Sequence, residues 1–587
     1  FVNLEQGTGI VHCAPSHGPD DFNLCLKNNI PSLYTVDNAG LYTNEIPHFT
    51  KTHIFKADPI VIEKLKEQNK LLKNDKMTHS YPHSWRSKAP LIYRATPQWF
   101  ISMQKNDLRK KAIKAINDTI FYPEKGKERL LSMVEGRPDW CVSRQRVWGV
   151  PLPIFVNKKT KEPLKDPKVI NRIASIYEKQ GSDCWFTDDP KVFLGNEYDS
   201  NDYEKLNDIV EVWFDSGSTH SFVLEKRKDL KWPADMYLEG SDQHRGWFHS
   251  SLLEACGTRG KAPFESILSH GFVVDGKGLK MSKSTGNVIS PEDILKDFGA
   301  DILRVWVASS DYAEDLRIDK SILTQHAESY RKIRNTFRFI LGNLKDDYKQ
   351  YKLDKIDFTK LGELEQYILH KLFVIDKSVK NNLKKYSFHK LYKELLNFCT
   401  LDLSSFYFDI RKDVLYCDSL KSKKREDCVI VLNIILETLL KWFAPILVFT
   451  TEEIYELINK KDESIHEHNF AEIPENWENK VLNDKWVKLF KIKQEANIAI
   501  EEKRSNKEIG SSLEAEIKIT TNNEYYNLLE GIDLAEYFIT SKAEKFKSEE
   551  QDVKIEVKKT LGTKCPRCWK ILEEECKRCK DATLNIV

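Results

Sequence analysis

Apolar residues recur at helical spacing through the second half of the chain. Ile333, Phe337, Ile340, Leu341 and Leu344 follow one another at steps of one, three or four residues, so they fall on one face of a helix. The same spacing returns at Ile368, Leu372, Ile375 and Val379. The pattern predicts long amphipathic helices between residues 321 and 490, packed as a bundle.

A different pattern occupies residues 75–320. β-type stretches such as 267–274 alternate with helical stretches such as 291–298, an alternation that is typical of an α/β layer structure. Residues 1–74 mix short apolar stretches with turn residues and end in a predicted helix over 59–72. We interpret this first region as the remnant of a domain, because the chain opens without an initiator Met and enters a motif at once.

Residues 491–587 return to a β pattern. Apolar and polar residues alternate over 515–520 and again over 553–557, which predicts two strands of a small α+β unit. The sequence therefore predicts a multidomain α/β protein with regions 1–74, 75–320, 321–490 and 491–587.

Composition and charge exclude some classes of function. The 587 residues carry a net charge of +2, so a nucleic-acid surface would have to be local. The most apolar run, 429–440, is interrupted by Asn433 and Glu437 and is stopped by Lys441. It falls short of the roughly 18 apolar residues of a membrane span and predicts a buried helix, with no membrane partner.

The use of cysteine indicates a compartment. Twelve cysteines occur without a signal peptide, which favours a reducing, cytoplasmic location. Eight are scattered singly, at Cys13, Cys25, Cys141, Cys184, Cys256, Cys399, Cys417 and Cys428.

Two lysines stand in a short glycine-flanked segment. Lys280-Met281-Ser282-Lys283-Ser284 lies between Gly278 and Gly286, and glycine gives such a loop freedom to move. Two long cations on a mobile loop suit a site where negative charge develops on a triphosphate as pyrophosphate leaves. The alternative is an ordinary solvated turn, which the full pentapeptide with its glycines disfavours.

A run of polar residues follows a predicted strand over 237–248. In open α/β sheets, ligands bind at the carboxyl ends of strands. Gly240 would let a ribose approach the backbone, Asp242 would accept hydrogen bonds from its hydroxyls, and Gln243 would hold an ammonium or carboxylate group. A polar helix cap is the alternative.

Three further segments carry candidate binding residues. Trp148 and Trp213 each stand in a polar segment that contains glycine, although most tryptophans are core or half-buried surface. Residues 7–21 cluster two histidines and two aspartates in a Gly/Pro-rich loop. These residue types would serve a metal, a hydrolytic site or an ammonium pocket.

Four cysteines near the end of the chain form two Cys-x-x-Cys pairs. Cys565 and Cys568 make the first pair, and Cys576 and Cys579 follow after seven residues. In a reducing compartment this spacing predicts a site for one zinc ion. A redox-active dithiol is the alternative, but no thioredoxin-like surroundings accompany the pairs.

These motifs together resemble the class I aminoacyl-tRNA synthetases, and among them the bacterial isoleucyl-tRNA synthetases. The resemblance runs over essentially the whole chain. It implies an incomplete Rossmann-type catalytic domain over 75–320 and the remnant of an editing domain over 1–74. It also implies a helical anticodon-binding domain over 321–490 and a C-terminal domain with a zinc finger at 561–582.

The resemblance also implies roles for single residues. Lys280 and Lys283 would act in catalysis, with Lys283 on the ATP phosphates. Glu239 would contact the aminoacyl-adenylate. Trp148 and Trp213 would bound the isoleucine side chain. In the editing pocket, Asp21 would hold the α-ammonium group and His12 would line the wall.

The implied reaction joins L-isoleucine to tRNA(Ile) through an adenylate, with ATP and Mg as substrate, and editing removes misactivated valine. The family expectation is a monomer. The sequence lacks the His-x-Gly-His signature of the class and the threonine-rich strand of the editing pocket. We therefore expect an amino-terminally truncated fragment that is inactive alone.

Two other interpretations stay open. A valyl- or leucyl-tRNA synthetase shares the lysine loop and the editing domain. A non-catalytic tRNA-binding protein would use the helical bundle and the zinc finger alone.

Overall fold

The computed structural model describes residues 5, 7–84, 87–345, 347–459, 463–549 and 553–584. These residues form two compact units. The first unit comprises residues 1–118, 130–233 and 245–263, and the second comprises 119–129, 234–244 and 264–587. The chain therefore passes between the units several times.

The first unit contains helices and short antiparallel strand pairs. Its helices are Pro19–Lys27, Asp58–Glu67, Leu108–Asp118, Pro167–Gln180, Cys184–Thr187, Pro190–Leu194, Val212–Gly217 and Trp247–Thr258. Its strands are Phe100–Ile101, Trp140–Cys141, Ser143–Arg144, Phe155–Asn157, Tyr203–Lys205 and Ile209–Val210. The Lys125–Glu135 helix has its first five residues in the second unit.

Part of the first unit has a small core of its own. Phe155, Trp185 and Phe193 are fully buried there, and the rings of Phe155 and Trp185 meet edge to face at 5.0 Å. Pro167 begins the helix that covers this core, and Asp166 caps it by accepting a hydrogen bond from the Lys168 amide at 2.8 Å.

The second unit begins with a parallel sheet. Its strands lie in the order Ile120–Tyr122, Phe264–His270, Ala234–Gly240. Leu268 pairs with Leu238 on one side and with Tyr122 on the other. The central strand is buried over most of its length, as a parallel strand should be. Val273–Asp275 pairs in parallel with Leu316–Ile318, and the helices Pro291–Phe298 and Ala300–Ser309 lie between them in the chain.

A helical bundle follows in the same unit. Its helices are Lys320–Leu344, Glu363–Lys384, Phe388–Asn397, Phe408–Cys417, Lys423–Phe443, Val448–Ile458 and Lys480–Ser505, with a π-helix at Phe398–Tyr407. The predicted apolar faces are confirmed, since Ile333, Phe337, Ile368 and Leu372 are all buried.

The end of the chain is an α+β unit, as predicted. Ala515–Thr521 is the central strand, parallel to Lys542–Lys547 and antiparallel to Lys554–Lys559. The helices Asn523–Leu528 and Leu534–Tyr537 accompany this sheet. The hairpin Thr563–Lys564 with Ile571–Leu572 and the helix Lys577–Leu584 complete the unit.

A buried ion cluster joins the bundle to the C-terminal sheet unit. Arg411 donates two hydrogen bonds of 2.7 Å to the carboxylate of Glu365. It donates a third, of 2.6 Å, to Glu536. Glu365 is fully buried. Removing one partner of a buried ion pair leaves the other charge buried and unpaired, which is strongly destabilising. Arg411 therefore holds the bundle and the C-terminal sheet unit in their observed packing.

The multidomain α/β class is confirmed, with differences in detail. The helix predicted over 59–72 ends at Glu67. The stretch predicted over 267–274 is two strands, because the chain bends at Gly271, whose amide donates to Tyr312 O at 2.8 Å. The last bundle helix continues to Ser505, across the predicted boundary at 490. The domain boundaries themselves stay a prediction.

The apolar run at 429–440 lies in the buried Lys423–Phe443 helix, as predicted. No helix in the described ranges has both the length and the apolarity that a bilayer crossing needs.

Candidate functional site

The lysine loop, residues 276–287, projects from the end of the Val273–Asp275 strand. Val274 and Lys280 form an antiparallel bridge at its start. The carboxylate of Asp275 accepts hydrogen bonds from the amides of Lys277 at 3.0 Å and Leu279 at 2.8 Å. These bonds hold the tight turn that carries the first lysine of the pair.

Asn287 closes the other end of the loop. Its amide donates to Asp275 Oδ2 at 2.8 Å, and its oxygen accepts from the Ser282 amide at 2.9 Å and the Thr285 hydroxyl at 2.6 Å. The hydrogen bond from Asn287, followed by that from Leu279, holds the pKa of Asp275 below its usual range. Asp275 is therefore an anchoring carboxylate and stays charged.

The side chains of the two lysines of the loop take no part in this anchor. Lys280 and Lys283 are both exposed, and neither is in an ion pair with an acidic residue of the described ranges. Both ammonium groups are available to a ligand. Hydrogen bonds hold the two ends of the loop, while its two lysine side chains are not held by them. Such a loop can move toward a polyphosphate.

The polar segment 239–243 lies at the carboxyl end of the Ala234–Gly240 strand, beside the end of Phe264–His270. Glu239 pairs with Ser269, and Gly240 pairs with His270, at the carboxyl ends of two neighbouring parallel strands. A Cβ atom at position 240 would lie 2.7 Å from Asp242 Oδ1. A side chain at this position would therefore force the Asp242 carboxylate to shift.

The side chains of this segment are held by short-range bonds. Glu239 accepts a hydrogen bond from the Gly240 amide at 3.3 Å. Gln243 donates to Asp242 Oδ2 at 3.2 Å. His244 is buried with Nδ1 against Ser241 O at 2.8 Å, and burial lowers its pKa, so that it is neutral at pH 7. The predicted ligand-binding carboxylates, Glu239 and Asp242, are therefore exposed, and the neighbouring His244 is buried and neutral.

A cavity of about 580 Å³ opens at this edge. Ser241 and His244 line it from one strand end, Gly271 from the next, and Gly278 from the lysine loop. Lys125 and Glu314 form an ion pair of 2.6 Å at its wall. The structure therefore brings the polar segment and the root of the lysine loop to one cavity.

The predicted pocket tryptophans lie in the first unit. Trp148 is 92% exposed and Trp213 is 38% exposed. Their role as walls of a pocket stays a prediction. Sequence reasoning gave no role to Trp247, which donates from Nε1 to Ser216 O at 3.0 Å and so braces the Val212–Gly217 helix that carries Trp213. The sequence indicated this role only through the position of Trp247 at the start of a predicted helix.

The candidate editing loop is held by its own polar residues. Asp21, in the first turn of the Pro19–Lys27 helix, accepts a hydrogen bond from the Ala14 amide at 2.8 Å. His17 lies between Tyr93 O at 3.0 Å and the Thr35 hydroxyl at 2.9 Å. His12 is exposed. Within the described part of the chain, this loop does not gather three metal-ligating atoms.

Four thiols come together at the predicted metal site. The Sγ atoms of Cys565, Cys568, Cys576 and Cys579 all lie within 4.8 Å of one another, and Cys568 and Cys576 are 3.8 Å apart. Tetrahedral bonds of about 2.3 Å to zinc would place sulfur atoms roughly 3.8 Å apart. This cysteine cluster can therefore hold a metal ion.

Two arginines tie the cysteine cluster to the bundle. Arg578 binds Asp413 at 2.6 Å and Asp418 at 2.5 Å. Arg567 donates to Cys417 O at 2.7 Å. These two guanidinium groups therefore serve internal packing.

Comparison with known proteins places these features in one family. A family model described as "tRNA synthetases class I (I, L, M and V)" matches residues 29–319, and one described as "Anticodon-binding domain of tRNA ligase" matches residues 365–519. The isoleucine–tRNA ligase of Pelagibacter ubique is 66% identical over 581 residues, which are 99% of this chain and 64% of that protein.

More distant bacteria give the same result. The isoleucine–tRNA ligase of Gluconobacter oxydans is 44% identical over 99% of this chain and 62% of its own length. That of Caldanaerobacter subterraneus is 44% identical over 97% of this chain and 63% of its own length. The chain thus spans a little under two thirds of the length of these curated relatives. It belongs to the isoleucine–tRNA ligase family of class I tRNA synthetases.

Proposed function

We propose that the protein to which this sequence belongs attaches L-isoleucine to tRNA(Ile), using ATP and forming isoleucyl-adenylate. One observation carries the proposal. In a chain that is 66% identical to an isoleucine–tRNA ligase, the 239–243 segment lies at the carboxyl end of a parallel strand and lines one cavity together with the root of the lysine loop. Ligands of open α/β sheets bind at such strand ends.

ATP, with Mg, binds there as substrate. Gly240 lets the ribose approach the backbone, and Asp242 accepts hydrogen bonds from its hydroxyls. Lys280 and Lys283 neutralise charge on the phosphates as the isoleucine carboxylate attacks and pyrophosphate leaves. The exposure of both lysines supports this assignment, because fixed or mobile cations aimed at developing charge are a large part of such catalysis.

The aminoacyl-adenylate uses the same segment. Glu239 and Gln243 bind its polar groups, while Trp148 and Trp213 bound the isoleucine side chain. The bracing of the Trp213 helix by Trp247 supports a fixed wall. Large aromatic faces suit a branched aliphatic side chain.

Valine has to be edited because a binding pocket discriminates poorly against a side chain that is one methylene smaller. The discrimination of isoleucine from valine is the best-known case of this limit. One methylene is worth only about 1–3 kcal/mol of discrimination, so misactivated valine has to be removed by hydrolysis. Asp21 holds the α-ammonium group and His12 lines the pocket. Because the threonine-rich strand of that pocket is absent from the sequence, the chain alone is not expected to edit.

The helical bundle and the cysteine cluster serve tRNA(Ile). One zinc ion is held by Cys565, Cys568, Cys576 and Cys579 and fixes the fold around them. The match of residues 365–519 to an anticodon-binding domain supports tRNA as partner. The protein works as a monomer in the cytoplasm.

Aminoacylation by the complete gene product tests the proposal. Transcripts of tRNA(Ile), tRNA(Val) and tRNA(Leu) are each supplied with ATP and the matching radiolabelled amino acid. Charging of tRNA(Ile) alone is expected, and charging should fall in an Asp242→Ala variant. Charging of tRNA(Val) or tRNA(Leu) would instead indicate a valyl- or leucyl-tRNA synthetase. Binding of tRNA without charging would favour the non-catalytic alternative.

A further inference from the structure

Arg317 lies beside the root of the lysine loop, on the strand Leu316–Ile318. This strand pairs in parallel with Val273–Asp275, which leads into the loop, and Arg317 is the direct partner of Val274. Both residues line the cavity of about 580 Å³. On its other side, Val274 is bridged to Lys280, the first lysine of the loop. Sequence reasoning gave Arg317 no role.

Arg317, Val274 and Lys280 therefore form one cross-strand row. The side chains of directly paired residues project from the same face of a sheet. Neighbouring strands are about 4.8 Å apart, so the Cα atoms of Arg317 and Lys280 are separated by roughly 10 Å. Two long cationic side chains on one face can close that distance on a single phosphate chain.

The guanidinium of Arg317 lies against the backbone of the loop root. Gly278 has a φ of 82°, and a Cβ atom there would lie 3.4 Å from Nη2 and 3.5 Å from Nε of Arg317. The backbone of Arg317 is fixed by the buried Trp306, which donates from Nε1 to its carbonyl oxygen at 3.0 Å. Arg317 is therefore a cation on a fixed strand, whereas the two lysines lie on the loop itself.

The acidic residues that flank Arg317 in the chain have other partners. Glu314 forms its ion pair with Lys125. Asp315 accepts a hydrogen bond from a backbone amide at 2.8 Å, and Asp319 caps a bundle helix. Arg317 is exposed, and no acidic residue of the described ranges forms an ion pair with it. Its guanidinium is available to a ligand.

This row of residues suits an anion with several oxygen atoms. Arg317 and Lys280 place two positive charges on one face without a neutralising carboxylate, which gives that face a positive potential. A guanidinium also presents a planar fork of N–H donors that matches the oxygens of a phosphate. A polyphosphate chain would satisfy both cations at once.

We propose that Arg317 binds the phosphates of ATP that leave as pyrophosphate. This assignment rests on the proposed function and deepens it. A carboxylate oxygen of isoleucine forms a bond to the α-phosphorus, and the bond from that phosphorus to the oxygen bridging to the β-phosphate breaks. The electron pair of the broken bond goes to pyrophosphate. Arg317 and Lys280 donate hydrogen bonds to the oxygens that gain this charge and so stabilise the transition state.

ATP–pyrophosphate exchange with isoleucine, measured on the complete gene product, tests the role of Arg317. Arg317→Gln removes the charge, and we expect kcat to fall about 10- to 100-fold. The KM for pyrophosphate should rise while the KM for isoleucine stays unchanged, a split that a general loss of structure would not give. Arg317→Lys should recover part of kcat but keep a raised KM for pyrophosphate, because lysine lacks the fork. Arg338→Gln, at an exposed site of the Lys320–Leu344 helix, should match the wild type.

The outcomes separate this inference from the proposed function. A wild type without exchange would refute the proposed function itself. Exchange that Arg317→Gln leaves unchanged would overturn only the role of Arg317. Unchanged exchange with weaker charging of tRNA would place Arg317 on the RNA backbone and would overturn it too. If Arg317→Gln lowers the melting temperature, Arg317→Lys decides, and a wild-type KM for pyrophosphate in that variant would contradict the proposal.

Discussion

The side-chain amide of Asn287 donates a 2.8 Å hydrogen bond to the carboxylate of Asp275 and so ties together the two ends of the lysine loop. Asp275 ends a strand of the second unit, and Asn287 is the last residue of the loop. The loop is therefore hinged on one polar pair, while its two lysines stay free.

Loss of this pair should slow adenylate formation. Asn287→Ala removes the bonds to Asp275 and to the Ser282 amide, so the lysines lose their fixed root. We expect ATP–pyrophosphate exchange by the complete gene product to fall about tenfold or more, since misplacement of charged groups is costly. Asn201→Ala, at an exposed site of the first unit, is the control. Equal rates in the two variants would show that the hinge is dispensable.

Lys283 should contribute more to adenylate formation than Lys277, an exposed lysine in the same hairpin. Lys283→Met is expected to reduce exchange about 100- to 1,000-fold, because it removes a cation from the developing phosphate charge. Lys277→Met alters an exposed lysine of the same turn and should cost little. If both variants lose activity equally, the loop acts by its overall charge and not through Lys283.

The cysteine cluster should hold one zinc ion per chain, measured by atomic emission on the purified protein. Cys568→Ser and Cys576→Ser should lose the metal and lower the melting temperature, because metal binding and folding are coupled there. Cys417→Ser is a close control, since its buried thiol lies beside the cluster with Sγ 3.7 Å from Arg567 O. Zinc loss in that variant, or a metal-free wild type, would contradict the assignment.

Arg411 should be essential for the packing of the bundle on the C-terminal sheet unit. Arg411→Ala leaves Glu365 buried without its partner, and we expect the free energy of unfolding to fall by about 3–5 kcal/mol. The neighbouring Lys412→Ala breaks an exposed pair with Asp409 and should cost at most about 1 kcal/mol. Urea unfolding followed by circular dichroism measures both. Similar values for the two variants would show that the buried cluster is not stabilising.

Glu254 should make the stability of the first unit depend on pH. Burial and Asp215 raise its pKa from 4.5 to about 9 in the folded chain. The folded state therefore holds the proton more tightly than the unfolded state, and the stability from this group is full below pH 4.5 and is lost as pH rises toward 9. The melting temperature of the wild type should fall relative to Glu254→Gln between those limits. A constant difference would mean that Glu254 is already ionised.

Much of the site was predictable because it depends on local spacing. Four cysteines in two pairs can meet through one hairpin and one short helix, and a glycine-flanked lysine pair after a strand defines a loop. Bonds between residues far apart in the loop or the chain were not predictable. Neither the pair of Asn287 with Asp275 nor the use of Arg578 by Asp413 leaves a pattern in the sequence.

The fold shows the same division. Apolar spacing located the bundle helices, since burial of one face follows from the period alone. It missed the end of the Asp58–Glu67 helix, where the chain turns at Asn69 with a φ of 53°. It also missed the break at Gly271, which a tertiary hydrogen bond to Tyr312 O decides.

The central claim is that the protein activates isoleucine at the cavity shared by the 239–243 segment and the root of the lysine loop. Amino-acid-dependent ATP–pyrophosphate exchange tests it most directly, with isoleucine, valine and leucine compared on the complete gene product and its Lys283→Met variant. We predict exchange that is fastest with isoleucine and is lost in the variant. Preference for another amino acid, or exchange that persists without Lys283, would contradict the account.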